Sequence, residues 1–343
     1  VSVTAGFLRF NSASDFSGGV TVESGANLVV GAGGAVGTGT VLIKSGAVMY
    51  LRGGGDGSSQ GTAQVYQATL AGSPLVIIQG RFEPVGNNGS SGPWNSDIDV
   101  TLDGGIIQRG TGGQADTNWH WQFAGDITVT ANGGTLGNNG HIWRSATYTG
   151  DIIGAAGTVL VNDGDDSAYP ARNSLAHTNA SYEGDWSVVD GRLSVEADGA
   201  LGIGTGQTVT VNAPFRTNGW GGLWVNAGQT TFPDIDLQQG ELFLDANLSS
   251  NIEMNGGRFA LTRNNRTIGG TIVASTATAF TGPNDYAGWK LNLTGTISGS
   301  AGLEVATLER VREKIRVNPG AAELVATMRA HGAFCALVTG GFT

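Results

Sequence analysis

Between residues 1 and 305, turn-forming residues recur so often that helical signals are scarce, and this spacing constrains the fold more than any other feature. Short runs of β-formers lie between the turns: Val20-Thr21-Val22, Leu28-Val29-Val30, Val41-Leu42-Ile43, Ile127-Thr128-Val129-Thr130, Val159-Leu160-Val161, Val209-Thr210-Val211 and Leu291-Asn292-Leu293. Alternation with period two gives each run one buried and one exposed face. Clusters of Gly, Asn, Asp and Ser supply the turns, several of which need positive φ. Strand starts fall roughly 8–12 residues apart, the spacing of an all-β chain.

Composition narrows the class. Glycine accounts for 58 of 343 residues, well over twice the usual share of about 7 %. With only 8 prolines the chain is neither collagen nor a Pro/Gly linker. A hydrophobic content of 40 % is too high for plain disorder. No apolar run reaches the ~18 residues of a membrane-spanning helix. The balance of 18 basic against 28 acidic residues, net −10, argues against a nucleic-acid partner, because phosphate neutralisation needs clustered Lys and Arg.

The average conceals a break after Val305. Residues 306–343 hold 4 of the glycines, 5 basic and 3 acidic residues, and the single cysteine, Cys335. The other 13 basic and 25 acidic residues fall in 1–305. Two regions are expected: a Gly-rich β-repeat region over 1–305 and a helix-strand segment over 306–343. The start at Val1 and the stop after Gly340-Gly341-Phe342 read as the ends of a fragment.

Internal repeats support the first region. An aromatic-x-Gly unit recurs at Phe16, Phe123, Tyr148, Tyr182 and Tyr286. The Tyr148 and Tyr182 copies align at a constant offset, with Gly150-Asp151 matching Gly184-Asp185. A longer match joins residues 16–40 to 182–205: Val22 to Val188, Gly25 to Gly191, Leu28 to Leu193, and Gly34-Ala35-Val36-Gly37 to Gly199-Ala200-Leu201-Gly202. With Gly191-Arg192-Leu193-Ser194-Val195 and Gly204-Thr205, this pattern resembles the autotransporter-associated β-strand repeat. The resemblance implies a right-handed parallel β-helix, a β-solenoid, exposed on a bacterial surface. At ~20–25 residues per coil, 305 residues would make roughly 12–15 coils. Such a fold needs no disulfide, which fits a cysteine-free exported segment.

After Val305 the period changes. Asn318-Pro319 opens a helix with Pro at its first position. Leu324, Val325 and Met328 give that helix one apolar face, and Gly332 is a stop. Ala333–Val338 is a continuous apolar run, as in a strand buried on both faces. Pro319-Gly320-Ala321, Leu324-Val325, Gly332 and Val338-Thr339-Gly340-Gly341-Phe342-Thr343 resemble phosphoserine phosphatases of the haloacid-dehalogenase superfamily. The resemblance implies that Thr339, Gly340 and Gly341 are a phosphate-binding remnant and that this segment has a cytoplasmic origin. That family also requires an aspartate nucleophile, a lysine and carboxylates for Mg²⁺. The lysine and carboxylates would follow Thr339, where four residues remain. No catalytic residue and no cofactor is therefore expected, and Mg²⁺ only with a complete phosphatase domain.

Other candidate sites are weighed against plain structural roles. Asp97-Ile98-Asp99-Val100-Thr101 matches the phosphatase nucleophile motif, but no hydrophobic strand precedes it, so an ordinary strand is expected. Asn162-Asp163-Gly164-Asp165-Asp166 could offer oxygens to Ca²⁺, but lacks the spacing of a calcium loop and reads as a solvated turn. Eight tryptophans are generous for such a chain. Trp119, Trp121 and Trp143 are candidates for an aromatic shelf that stacks sugars, with inward packing as the alternative. The functional expectation is a structural or binding protein, a piece of an exported, adhesin-like surface passenger whose partners are glycans or cell-surface components. Two alternatives remain: a Mg-dependent phosphomonoester hydrolase, and a β-helical polysaccharide-active enzyme.

Overall fold

The computed structural model of the chain describes residues 1–10, 17–30, 36–52, 67–68, 75–85, 94–109, 120–138, 145–164, 171–214, 221–228, 232–261, 265–276, 278–281, 290–301, 303–305, 327 and 330. The chain divides into two compact units, Val1–Glu304 and Val305–Thr343. In the second, Thr327 and Ala330 are helical and exposed. Thr339, Gly340 and Gly341 lie outside the described residues.

The first unit is all-β, and every strand pairing among its described residues is parallel. Three sheets hold seven, thirteen and eleven strands, and a fourth holds two. The first sheet begins at Ser2–Val3 and ends at Ile152–Ile153. The second runs from Gly6–Phe10 to Ile297–Gly299. The third runs from Gln67–Ala68 to Leu303–Val305. Between Gln67 and Ile153 the chain visits the third, first and second sheets in rotation. Each strand pairs with its counterparts one circuit earlier and later. Beyond Ile153 it alternates mainly between the second and third sheets.

The alternating runs explain the core. In Val20–Val22, Val41–Ile43, Val76–Ile78 and Val100–Leu102 the outer residues of each triplet are buried and the middle one is partly exposed. Parallel register then stacks like on like. Ile235, Ile252 and Ile272 form one buried column, and Leu193, Leu223, Leu242 and Phe259 form another. Each such side chain contributes roughly 1.5–3 kcal/mol through its removal from water.

Sharp corners separate the sheets. Gly25 has φ +79° between a first-sheet and a second-sheet strand, and Gly191 has φ +65° between Asp185–Asp190 and Arg192–Val195. Both positions need the left-handed conformation that glycine adopts without penalty. The circuit is not a constant length. Ile235 pairs with Ile252, whereas Met49 pairs with Phe82, a partner nearly twice as far along the chain. The expected coil length thus describes only some circuits, because connections between strands vary while strands do not.

Side chains replace the first sheet where it stops. Asn179, buried, accepts from the Ile152 backbone N–H at 2.9 Å and donates to the Ala200 carbonyl. The Trp186 indole donates to the Leu201 carbonyl at 2.8 Å. Gln207 donates to Leu201 and Gly184 carbonyls and accepts from the Gly204 N–H. These bonds satisfy backbone groups that a neighbouring strand would otherwise pair.

Candidate functional site

Of the three tryptophans expected to form a shelf, the described one, Trp121, packs inward. Trp121 lies on the third-sheet strand His120–Phe123, in register with Ala146 and, one circuit on, Asn173, all of which point inward and are buried. Its indole is 3 % exposed and meets Phe123 and Tyr148 edge-on, at 5.6 and 5.8 Å between ring centres. Strand parity decides this: Trp121 and Phe123, two apart, share the core face. Trp121 is therefore core and offers no face to a sugar. Trp119 and Trp143 lie outside the described residues.

The aspartates of the motif lie in the corner between the strands Trp94–Ser96 and Val100–Leu102. Ile98 is buried and Asp97 and Asp99 are exposed. Asp99 accepts the Asp126 backbone N–H, and Asp126 in turn accepts that of Asp151, both at 2.9 Å. The Asn162 side chain points into the core, where it donates to the Asp190 carbonyl and accepts from Asn173. Asp165 and Asp166 lie outside the described residues. Among the described residues no three His, Cys, Asp or Glu gather closely enough to hold a metal ion, and no helix is long and apolar enough to cross a membrane.

A different set of residues converges on the outer face of the third sheet. Its strands bring Arg172, Arg192, Gly222, Glu241 and Arg258 into one column. Two residues further along, Ser174, Ser194, Trp224, Phe243 and Ala260 form a second. Glu196, Asn226 and Asp245 continue each strand on the same side. Four of the 13 cations of residues 1–305 gather here: Arg172, Arg192, Arg258 and Arg266.

The acids are tied down one by one. Arg172 pairs with Glu196 and donates to Ser174 Oγ at 2.7 Å. Arg258 pairs with Glu241, and Arg266 reaches Asp245 at 3.8 Å. Arg192 instead lies over the Trp224 ring, 4.1 Å from its centre, and Phe243 from the next rung stacks on the same indole at 5.2 Å. Such a cation–aromatic contact gains strength as water leaves.

Water is largely excluded. Ser174, Ser194, Glu241 and Phe243 are all buried although their side chains leave the core face. Burial raises the Glu241 carboxyl to about 7 despite the opposing charge of Arg258. Burial, then the positive charge of Arg172, pushes the Arg192 guanidinium below its ordinary value, against Glu196. The face can therefore hold polar groups in a desolvated layer. It does not present two free carboxylates for acid–base hydrolysis, because each acid has an arginine partner.

Sequence reading missed this face, although a signal was present. Gly191-Arg192-Leu193-Ser194-Val195, Gly240-Glu241-Leu242-Phe243-Leu244 and Gly257-Arg258-Phe259-Ala260-Leu261 each place a charge directly after a corner glycine. Only the register between circuits shows that these charges share one column. No protein-family model, no curated protein and no solved structure matches the chain.

Proposed function

We propose that residues 1–305 form a right-handed parallel β-helix that serves as a structural and glycan-binding element of an exported bacterial surface protein, of the autotransporter-passenger kind. One observation carries the reading: thirteen strands of a single sheet pair in parallel, circuit upon circuit. At about 4.8 Å per strand this extends the stack for roughly 60 Å. Outward positions are then free to vary without disturbing the core. The absence of cysteine from residues 1–305 fits an exported segment that needs no disulfide. In this reading Thr339-Gly340-Gly341 is a phosphatase-like remnant without a catalytic role.

The purified chain on a glycan array, with a parallel assay for phosphate release from phosphoserine and Mg²⁺, tests the proposal. Retention of a defined glycan class without phosphate release is expected. Phosphate release would instead favour the phosphatase alternative, and an array without any bound glycan would remove the binding role.

A further inference from the structure

Two corners of the first unit share one local sequence. Asn-Gly pairs occur at Asn88, Asn132, Asn139, Asn218 and Asn255. Asn88, Asn139 and Asn218 lie outside the described residues. The other two are each followed by a second glycine, as Asn132-Gly133-Gly134 and Asn255-Gly256-Gly257. Asn132 lies between the strands Ile127–Val129 and Gly134–Asn138, and Asn255 between Ile252–Met254 and Arg258–Leu261. Each side-chain amide donates to an aspartate one circuit earlier, Asn132 to Asp103 at 2.7 Å and Asn255 to Asp236 at 2.8 Å. The two sites therefore match in sequence and in amide partner.

They differ at the backbone nitrogen that follows. The Gly133 N–H donates to the Thr130 carbonyl at 2.9 Å. The Gly256 N–H has no hydrogen-bond partner among the described residues, although Asn255 and Gly257 on either side both donate to the Leu237 carbonyl, at 2.8 and 3.4 Å. A free amide can lose its proton to hydroxide and become a nucleophile; a bonded one must first break its bond. Attack of the Gly256 nitrogen on Asn255 Cγ forms a C–N bond, breaks the Cγ–Nδ2 bond and expels ammonia, which takes its third proton from water. Water then opens the cyclic imide at either carbonyl and leaves aspartate or isoaspartate. Glycine has no Cβ to crowd that ring. Exposure alone would favour the other site, because Asn132 is exposed and Asn255 half-buried.

We propose that Asn255-Gly256 is a self-modification site, where the folded chain converts asparagine to aspartate and isoaspartate ahead of Asn132-Gly133. The product loosens its own corner. A carboxylate replaces the amide that donates to Asp236, and Asp236 already stands in register with Glu253, so three acids gather where like charges repel. The test holds the full chain in mildly alkaline buffer, folded or in urea, and samples it over time. Acid-quenched peptide mapping by mass spectrometry then follows each asparagine, with enzymatic methylation to mark isoaspartate. In the folded chain Asn255 should convert about two- to tenfold faster than Asn132, the factor that one backbone hydrogen bond supplies. In urea the two rates should converge. Asn132 converting as fast as Asn255 in the folded chain would overturn the assignment, and so would a difference that persists undiminished in urea. Asn255→Asp, which supplies the aspartate product directly, should melt below wild type at neutral pH; an unchanged melt would overturn the loosening.

Discussion

Replacing Asn179 with alanine should cost the protein several kilocalories, although the side chain is short. Asn179 is 2 % exposed. Its carbonyl oxygen accepts the Ile152 N–H at 2.9 Å and its amide donates to the Ala200 carbonyl. Ile152 and Ala200 are themselves buried at 1 % and 0 %, so water cannot take over these bonds freely. Each orphaned group costs about 1–3 kcal/mol, giving about 2–6 kcal/mol for the pair. Asn251 supplies the control. It accepts the Thr271 N–H at 3.1 Å and donates to Asp234 at 3.0 Å, but it is exposed. Water can replace it, and Asn251→Ala should cost below about 1 kcal/mol. Urea unfolding followed by tryptophan fluorescence gives the comparison. Stacked circuits need not unfold in one step, so amide exchange at Ile152 supplies a local reading. Exchange there should accelerate in Asn179→Ala and remain unchanged in Asn251→Ala. Equal losses of stability in the two variants would refute the argument that burial sets the cost.

Three further perturbations follow from the same geometry. Gly222→Ala should destabilise by at least about 3 kcal/mol, because its Cβ would lie 2.0 Å from the Glu241 carbonyl at φ +136°; Gly25→Ala, with φ +79° and nothing within 4 Å, should cost about 1–2 kcal/mol in thermal melts. Glu241 is raised from 4.5 to about 7, so the folded chain holds its proton more tightly than the unfolded chain. Its contribution is fully present below pH ~4.5 and lost as pH rises through about 7, amounting to about 3 kcal/mol; Glu241→Gln should flatten that slope in urea titrations at successive pH values. Trp121→Ala should cost about 3–5 kcal/mol through lost core packing while leaving any glycan affinity unchanged, and a selective loss of binding would restore Trp121 as a ligand contact.

Much of the fold was legible because the β-runs are local. Val20–Val22, Val41–Ile43 and Leu291–Leu293 are strands as their alternation predicts, and corner glycines such as Gly25 and Gly191 take positive φ. What the sequence concealed was which runs share a face. Residues 16–40 match 182–205 well, yet Val20–Val22 belongs to the first sheet and Asp185–Asp190, which holds Val188, to the second. Likewise Ala26–Val30 lies in the second sheet and Arg192–Val195 in the third. The matched unit therefore encodes a strand, a glycine corner and another strand, and can sit at either corner of the fold. It does not encode a complete circuit.

The constant offset between the Tyr148 and Tyr182 copies misleads for the same reason. Tyr148 stands in register with Phe123 on the preceding rung and with Leu175 on the following one. Tyr182 instead bridges to Gly154. Both tyrosines are buried and precede a glycine by two positions, so the motif marks a local exit from a buried position. Local motifs report corners; faces are set by how long each connection happens to be, and those lengths carry no periodic signal. The arginine–glutamate column follows the same rule. Arg192, Glu241 and Arg258 are unevenly spaced along the chain and become neighbours only through Gly222 and the parallel register. In a chain of variable circuits, a charged face is a property of the register, so charge placement after corner glycines is the sequence feature from which such faces can be sought.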